Sequence, residues 1–281
     1  MRRLPAALLL LITAGTACRS VTAPQMPGVV PLTFQEGATT ERYAFTWSDS
    51  ASPYLDSLRT RYPMSSVIAG ATTDYARVQA VSRWVRGRWQ HNGDNVAVPG
   101  DPISILDQAA KGQRFRCVEY AVVVAGVLQS IGVRARVLGL KTSDVETRAT
   151  GAGHVVAEAF LRETGRWVMV DGQWDAIPTL DGQPLDAVSF QRALASHARG
   201  LSVMSLSSTN PSAYFSWVGP YLYYFDSPLD QRLGVARRSG SLMLVPLGSP
   251  NPTVFQQKFS IGAMTYTSAL AAFYAAPADV P

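Results

Sequence analysis

The chain has 281 residues, of which 47% are hydrophobic and 16% charged, and its formal net charge is +5. This composition supports a well-buried core of one large or two small domains and argues against disorder. The charge is modest and no dense Lys/Arg cluster concentrates it, so nucleic acid is not an expected partner.

The first element is a processing signal rather than part of the fold. Arg2 and Arg3 form a positive n-region, and Leu4 to Thr13 form an apolar stretch too short to span a bilayer. Gly15-Thr16-Ala17 supplies small residues before Cys18. Residues 1–17 are therefore expected to be a signal peptide. Cleavage after Ala17 by a general signal peptidase would leave Cys18 as a free N-terminal thiol, a redox liability outside the cytoplasm. The segment also resembles a bacterial lipobox, with Gly15 where Leu is usual. That resemblance implies lipidation of Cys18, and hence an exported, membrane-anchored protein of the cell envelope. No later stretch is apolar for long enough to suggest another membrane span.

Residues 18–51 are rich in Pro, Thr, Ser and Gly and read as a tether, with an edge strand at Arg42 to Trp47. Ser52-Pro53 marks a helix start, and the helix should run to about Tyr62. A second helix is expected over Thr73 to Trp89, where Tyr75, Val78, Val81, Val85 and Trp89 make one apolar stripe. Asp101-Pro102 opens a third helix that Gly112 should end. The fourth begins at Cys117 and is apolar on nearly every face, which predicts a buried central helix closed by Gly132. Strands follow at Val133 to Leu140, His154 to Leu161 and Trp167 to Asp171, the last two as a hairpin around Arg162 to Gly165. Asp186 should cap a helix reaching about His197. Residues 201–281 read as a β-rich extension packed on a core of residues 52–200, with strands near Tyr221 to Phe225 and Ser241 to Pro246.

Chemistry converges on Cys117. The chain has only two cysteines, and if Cys18 is lipidated, Cys117 has no intramolecular partner. Its place at a helix start favours a thiolate and offers backbone N–H groups to an oxyanion. A thiol nucleophile needs a base, and the base needs an orienting carboxylate. His154 and Asp171 follow in that order. If Glu163-Thr164 makes a two-residue turn, Asp171 lies opposite Val156, one diagonal step from His154 on the same sheet face. Of the other histidines, His91 reads as a solvated loop residue and His197 as a helix C-terminus residue. Glu119 reads as a helix-surface residue, Tyr120 as packing, Arg134 and Arg136 as sheet-surface or ion-paired, and Trp174 and Asp175 as cleft-edge residues. No metal-ligand spacing is present and no cofactor is expected.

GQRFRCVEYAVVVAGVLQSIGVRARVLGL resembles the cysteine segment of transglutaminase-like domains, and GHVVAEAFLRETGRWVMVDGQWD resembles their histidine and aspartate segments. The resemblance covers roughly residues 70 to 180. It implies an α+β class with a papain-like core, in which the cysteine helix packs on an antiparallel sheet. It also implies attack by Cys117 on an amide or ester carbonyl of a protein or peptide substrate, with His154 as base and Asp171 as orienter, and acyl transfer to an amine or to water. Gln113 and Trp89 are the expected oxyanion partners. Gly172 stands after Asp171 where the family commonly has Pro, and Val156 lies in a region where many relatives place an aromatic residue beside the histidine. Two alternatives share these residues: an inactive envelope binding module on the same fold, and a cell-wall cysteine peptidase. The sequence sets neither the oligomeric state nor the acceptor.

Overall fold

The computed structural model describes residues 29–236 and 238–278, so the signal segment and Cys18 lie outside the described residues. Four helices come first. α1 (Pro53–Arg61) starts where the Ser52 hydroxyl accepts the Leu55 N–H, and α2 (Asp74–Arg86) where Thr73 accepts the Ala76 N–H. In α3 (Pro102–Ala110) the Asp101 carboxylate caps two backbone donors. These caps satisfy N–H groups that have no acceptor within the helix. α4 (Cys117–Ser130) is buried along almost its whole length, and Gly132 beyond it has the left-handed φ of +80° that a terminating glycine supplies. Gly126 in α4 faces α3: a Cβ there would come within 2.4 Å of Pro102 Cγ. The two helices can approach this closely only through a glycine.

Three strands follow, β1 (Ala135–Lys141), β2 (Gly153–Leu161) and β3 (Arg166–Val170). The β2–β3 register pairs Ala157 with Val170 and Leu161 with Arg166, which is the register expected from the sequence. The connection itself differs, because Arg162 does not pair with Gly165. Instead the Arg162 N–H and guanidinium bind the buried Asp74 carboxylate at 3.1 and 2.7 Å, and Gly165 turns the chain at φ +65°. The loop is thus four residues long. Parity survives because two residues were added, not one.

β4 (Ile177–Leu180) and β5 (Gln183–Pro184) lead into α5 (Ala187–Ala195), which Asp186 caps. β6 (Leu201–Met204) returns to pair with β4, and α6 (Pro211–Val218) continues through a 3-10 turn at Gly219–Tyr221 into β7 (Tyr224–Pro228). β8 (Ser241–Leu244), the short pair β9 (Val254–Phe255) and β10 (Phe259–Ser260), β11 (Met264–Thr267) and α7 (Leu270–Phe273) complete the described chain.

The main sheet has the order β11-β8-β7-β1-β2-β3, antiparallel except for the β11–β8 pair. Its two faces are both covered. Ala135, Ala157, Ala159 and Val168 face the core built on α1 to α4, whereas Leu138, Val156, Met169 and Phe225 face the core built on α5 and α6. This explains why β2 lacks an alternating polar pattern.

Two expectations need correction. Residues 201–278 supply three of the six main-sheet strands, and β6 pairs with β4, so a boundary at residue 200 runs through shared sheets. Arg42 to Trp47 is not a strand. It makes one isolated bridge, Thr46 with Asp230, and its aromatic side chains supply the contacts instead. Trp47 donates to the Ala135 carbonyl at 3.1 Å, and Phe45 lies beside the Arg136 guanidinium. Among the described residues, no helix is long and apolar enough to cross a membrane.

Candidate active site

The start of α4 is fixed by Glu119. Its carboxylate accepts the N–H of Arg116 at 3.1 Å and of Ala97 at 3.3 Å, and it pairs with the Arg116 guanidinium at 2.9 Å. The side chain is buried, not on a helix surface as its position in the sequence suggested. An acidic residue in the first turn complements the helix dipole, and the clamp sets where Cys117 stands. Cys117 is half-buried and free.

His154 is the second residue of β2 and is buried, with its Nε2 2.7 Å from Asp171 Oδ2. Cys117 lies beside the ring and, with Asp171, favours its charged form. Burial opposes charge on His154. The Asp171 charge and hydrogen bond, with the Cys117 contact added, outweigh it and push the pKa up to about 10.

Asp171 follows β3 and is held on both oxygens. Oδ1 accepts the N–H groups of Gln173 at 3.0 Å and Trp174 at 3.3 Å, and Oδ2 accepts the Tyr214 hydroxyl at 3.1 Å. Burial and then the Asp171 charge hold the Tyr214 hydroxyl well above its ordinary pKa, so it remains a donor. Gly172 explains the departure from proline. A Cβ there would come within 2.7 Å of Val124 Cγ2, so the glycine lets the aspartate loop lean directly on the cysteine helix.

These groups open on a cavity of about 620 Å³ lined by Cys117, His154, Lys141, Trp217, Tyr221 and Phe255, among others. Trp217 packs edge-on to His154 at 4.7 Å and Tyr221 lies 6.0 Å from it, which shields the imidazole from water on that side. Lys141 is paired with Asp226 in the wall, and Gly139 leaves room for that carboxylate, since a Cβ would lie 2.5 Å from its Oδ1.

Neither expected oxyanion partner lines the cavity. Gln113 is exposed, its amide oxygen 3.4 Å from Asn95, because the left-handed Gly112 turns the lead-in outward. Trp89 is buried, packed on Phe115 at 5.8 Å and on Tyr120 at 4.3 Å. Gln173 lines the cavity instead, and the N–H groups of the first turn of α4 have no intrahelical acceptor. His91 is an exposed loop residue, as expected, and it also lines the cavity rim. Its pKa is lowered by burial and by the neighbouring His154 charge. His197 ends α5 with φ +52° and lines no part of the cavity. Trp174 packs on Trp217 at 5.1 Å, as a cleft-edge residue would, whereas Asp175 is buried against Ser205. Among the described residues, no group of three or more His, Cys, Asp or Glu is placed to hold a metal ion.

The sequence does not single out Tyr214 and Trp217, because α6 lies in a stretch that reads as strand and turn. The signal was present. Asn210 accepts the Ala213 N–H with Pro211 at the first helical position, and Tyr214, Phe215 and Val218 are the buried face.

Residues 64–172 match the family model described as the transglutaminase-like superfamily, and that span contains Cys117, His154 and Asp171. None of the curated proteins matches the chain. Among solved structures, it is similar to a candidate cysteine protease from Cytophaga hutchinsonii. There the identity is 13% and the TM-score 0.36, over 55% of this chain and 48% of that one. It is also similar to a structure described as a TGase, with 16% identity and a TM-score of 0.32, over 42% of this chain and 31% of that one. The matched parts are less than half the length of each of those two solved chains. Over residues 64–172, the chain is thus similar in sequence to the transglutaminase-like superfamily.

Proposed function

We propose that this protein is a cysteine-dependent acyltransferase or amidase acting on a protein or peptide in the bacterial envelope. The observation that carries the reading is one imidazole joining two partners. His154 is hydrogen-bonded to Asp171 at 2.7 Å and lies beside Cys117, at the edge of a cavity large enough for a peptide side chain.

The Cys117 thiolate would attack the acyl carbon. The His154 imidazolium would give its proton to the departing amine as the C–N bond breaks, leaving a thioester. Water or a second amine would then attack that thioester, with His154 taking the incoming proton, and expulsion of the thiolate restores the starting state. Asp171 would hold the ring and its charge, and Tyr214 would hold Asp171. First-turn N–H groups and Gln173 are the donors proposed for the oxyanion.

The test is incubation of the protein with a peptide panel, with and without a primary-amine probe. Cys117-dependent release of ammonia or of peptide fragments is expected, as is probe incorporation if amines are acceptors. Activity retained in Cys117→Ala would remove the thiol from the mechanism, and no turnover on any peptide would favour a binding module.

The envelope location rests on residues 1–18 and is tested separately. Wild-type protein expressed with its leader is expected in the detergent phase of a phase-separation extract, and Cys18→Ser in the aqueous phase. Identical partition of the two would mean that Cys18 carries no lipid.

A further inference from the structure

A second cavity, of about 650 Å³, adjoins the first, and His91 and Gln173 line both. The two are therefore arms of one cleft that meet at His91 and Gln173. The second arm is lined by Arg83, Arg86, His91, Trp174 and the hydroxyl-bearing run Ser207–Thr209.

The charge of this arm is one-sided. Arg83 and Arg86 lie on the last two turns of α2, and neither has a carboxylate partner among the described residues. By contrast, Arg116 is paired with Glu119, and Arg77 and Arg162 with Asp74. Arg86 meets the Tyr120 hydroxyl, a neutral group. No Asp or Glu lines the cavity. The buried acids around the arm have other partners: Asp175 meets Ser82, Ser205 and Ser207, Asp171 meets His154, and Glu119 meets Arg116. The arm also ends at the N-terminus of α6, where Asn210 lines the wall, so the positive end of that helix dipole adds to the same sign. An unpaired arginine pair in a walled cleft attracts a carboxylate more strongly than one on an open surface does, because the low-dielectric walls focus the field.

We infer that this arm is a subsite for an acidic segment of the substrate, with carboxylates docking on Arg83 and Arg86 while the reacting acyl group lies over Cys117. The enzyme would thus select acidic peptides over neutral ones of the same shape. This inference deepens the proposed acyl-transfer function and rests on it.

The experiment measures protection of Cys117 from iodoacetamide at pH 7 by two acetylated, amidated pentapeptides, penta-glutamate and penta-glutamine. Five extended residues span roughly 16 Å. Each rate is normalised to the same variant's rate without peptide. In the wild type, half-protection is expected at an about tenfold lower concentration of the glutamate peptide, and the preference should shrink in 0.5 M NaCl. It should fall toward unity in Arg83→Gln/Arg86→Gln. It should persist largely in Arg83→Lys/Arg86→Lys, which also shows that the fold tolerates change at these positions. Arg83→Gln alone, at an exposed position, should lose part of the preference. Equal protection by the two peptides in the wild type, or an undiminished preference in the double glutamine variant, overturns the subsite. If Cys117 does not react with iodoacetamide at all, the acyl-transfer reading fails first. Calorimetric titration of the same two peptides then decides the subsite by the same criteria.

Discussion

Cys117 is expected to react rapidly with iodoacetamide at pH 6, and His154→Ala should slow that reaction on the order of a hundredfold. An ordinary thiol, with a pKa of about 8.5, is ionised to well under 1% at pH 6, so fast labelling there requires a positive partner. His154 is that partner. Its folded pKa of about 10 lies above the ordinary imidazole value, so the ring is charged at pH 6 and stays so to about pH 9. The sign follows from the direction of the shift. Any stabilisation that His154 gains from Asp171 and Cys117 is fully present below the ordinary imidazole pKa, and it is lost as pH rises through about 10. Asp171→Ala should cost less, about tenfold, because the ring loses its anchor while Trp217 and Tyr221 still pack against it. His197→Ala serves as the control, since that residue lies away from the cavity. The relevant measurement is the labelling rate by mass spectrometry between pH 6 and 8. A folded wild type whose Cys117 labels at pH 6 no faster than His154→Ala would show that the imidazole does not activate the thiol.

Glu158→Ala should lower stability by about 3–5 kcal/mol, which for a chain of this size corresponds to roughly 10 °C in Tm. Arg136 and Glu158 face each other from β1 and β2 with both side chains fully buried, at 2.7 Å. The guanidinium also donates to the Phe273 carbonyl at 2.9 Å and lies over Trp167 and Phe273 at 4.4 and 4.6 Å. The carboxylate accepts the Ala187 N–H and the Tyr274 hydroxyl, both at 3.1 Å. One ion pair thus ties the central sheet to α5 and to α7. Removing the carboxylate leaves an arginine charge buried among aromatic rings with no counter-ion. That penalty exceeds the worth of the pair itself, so Arg136→Met/Glu158→Leu is expected to be less destabilised than Glu158→Ala. Urea denaturation of the three proteins checks both statements. A Glu158→Ala midpoint equal to that of the wild type would show that the charge is not buried as described.

Much of the catalytic layout is local information and could be read from the chain. A helix start shows in its cap and in the proline that follows it, so α1 and α3 were visible at Ser52-Pro53 and Asp101-Pro102, and α4 in its unbroken apolar run. The β2–β3 register depends on residue parity across a short loop, and parity placed Asp171 on the same face as His154 even though the loop is four residues long, not two. Other features depend on contacts between distant segments, which no local pattern encodes. Gln113 and Trp89 are close to Cys117 in sequence or type, yet the left-handed turn at Gly112 and the aromatic packing around Trp89 direct both away from the cavity. Glu119 reads as a surface acid until the Ala97 segment folds over it. Tyr214 and Trp217 reach Asp171 and His154 across 43 and 63 residues of chain, respectively, because α6 packs on the second face of the sheet. The sequence by itself determined the order of Cys117, His154 and Asp171 and the faces they occupy, since helix caps and strand parity are short-range. Only the tertiary structure decided what encloses them, since burial of the imidazole, the donors around the cavity and the unpaired arginines of its second arm arise where separate segments meet.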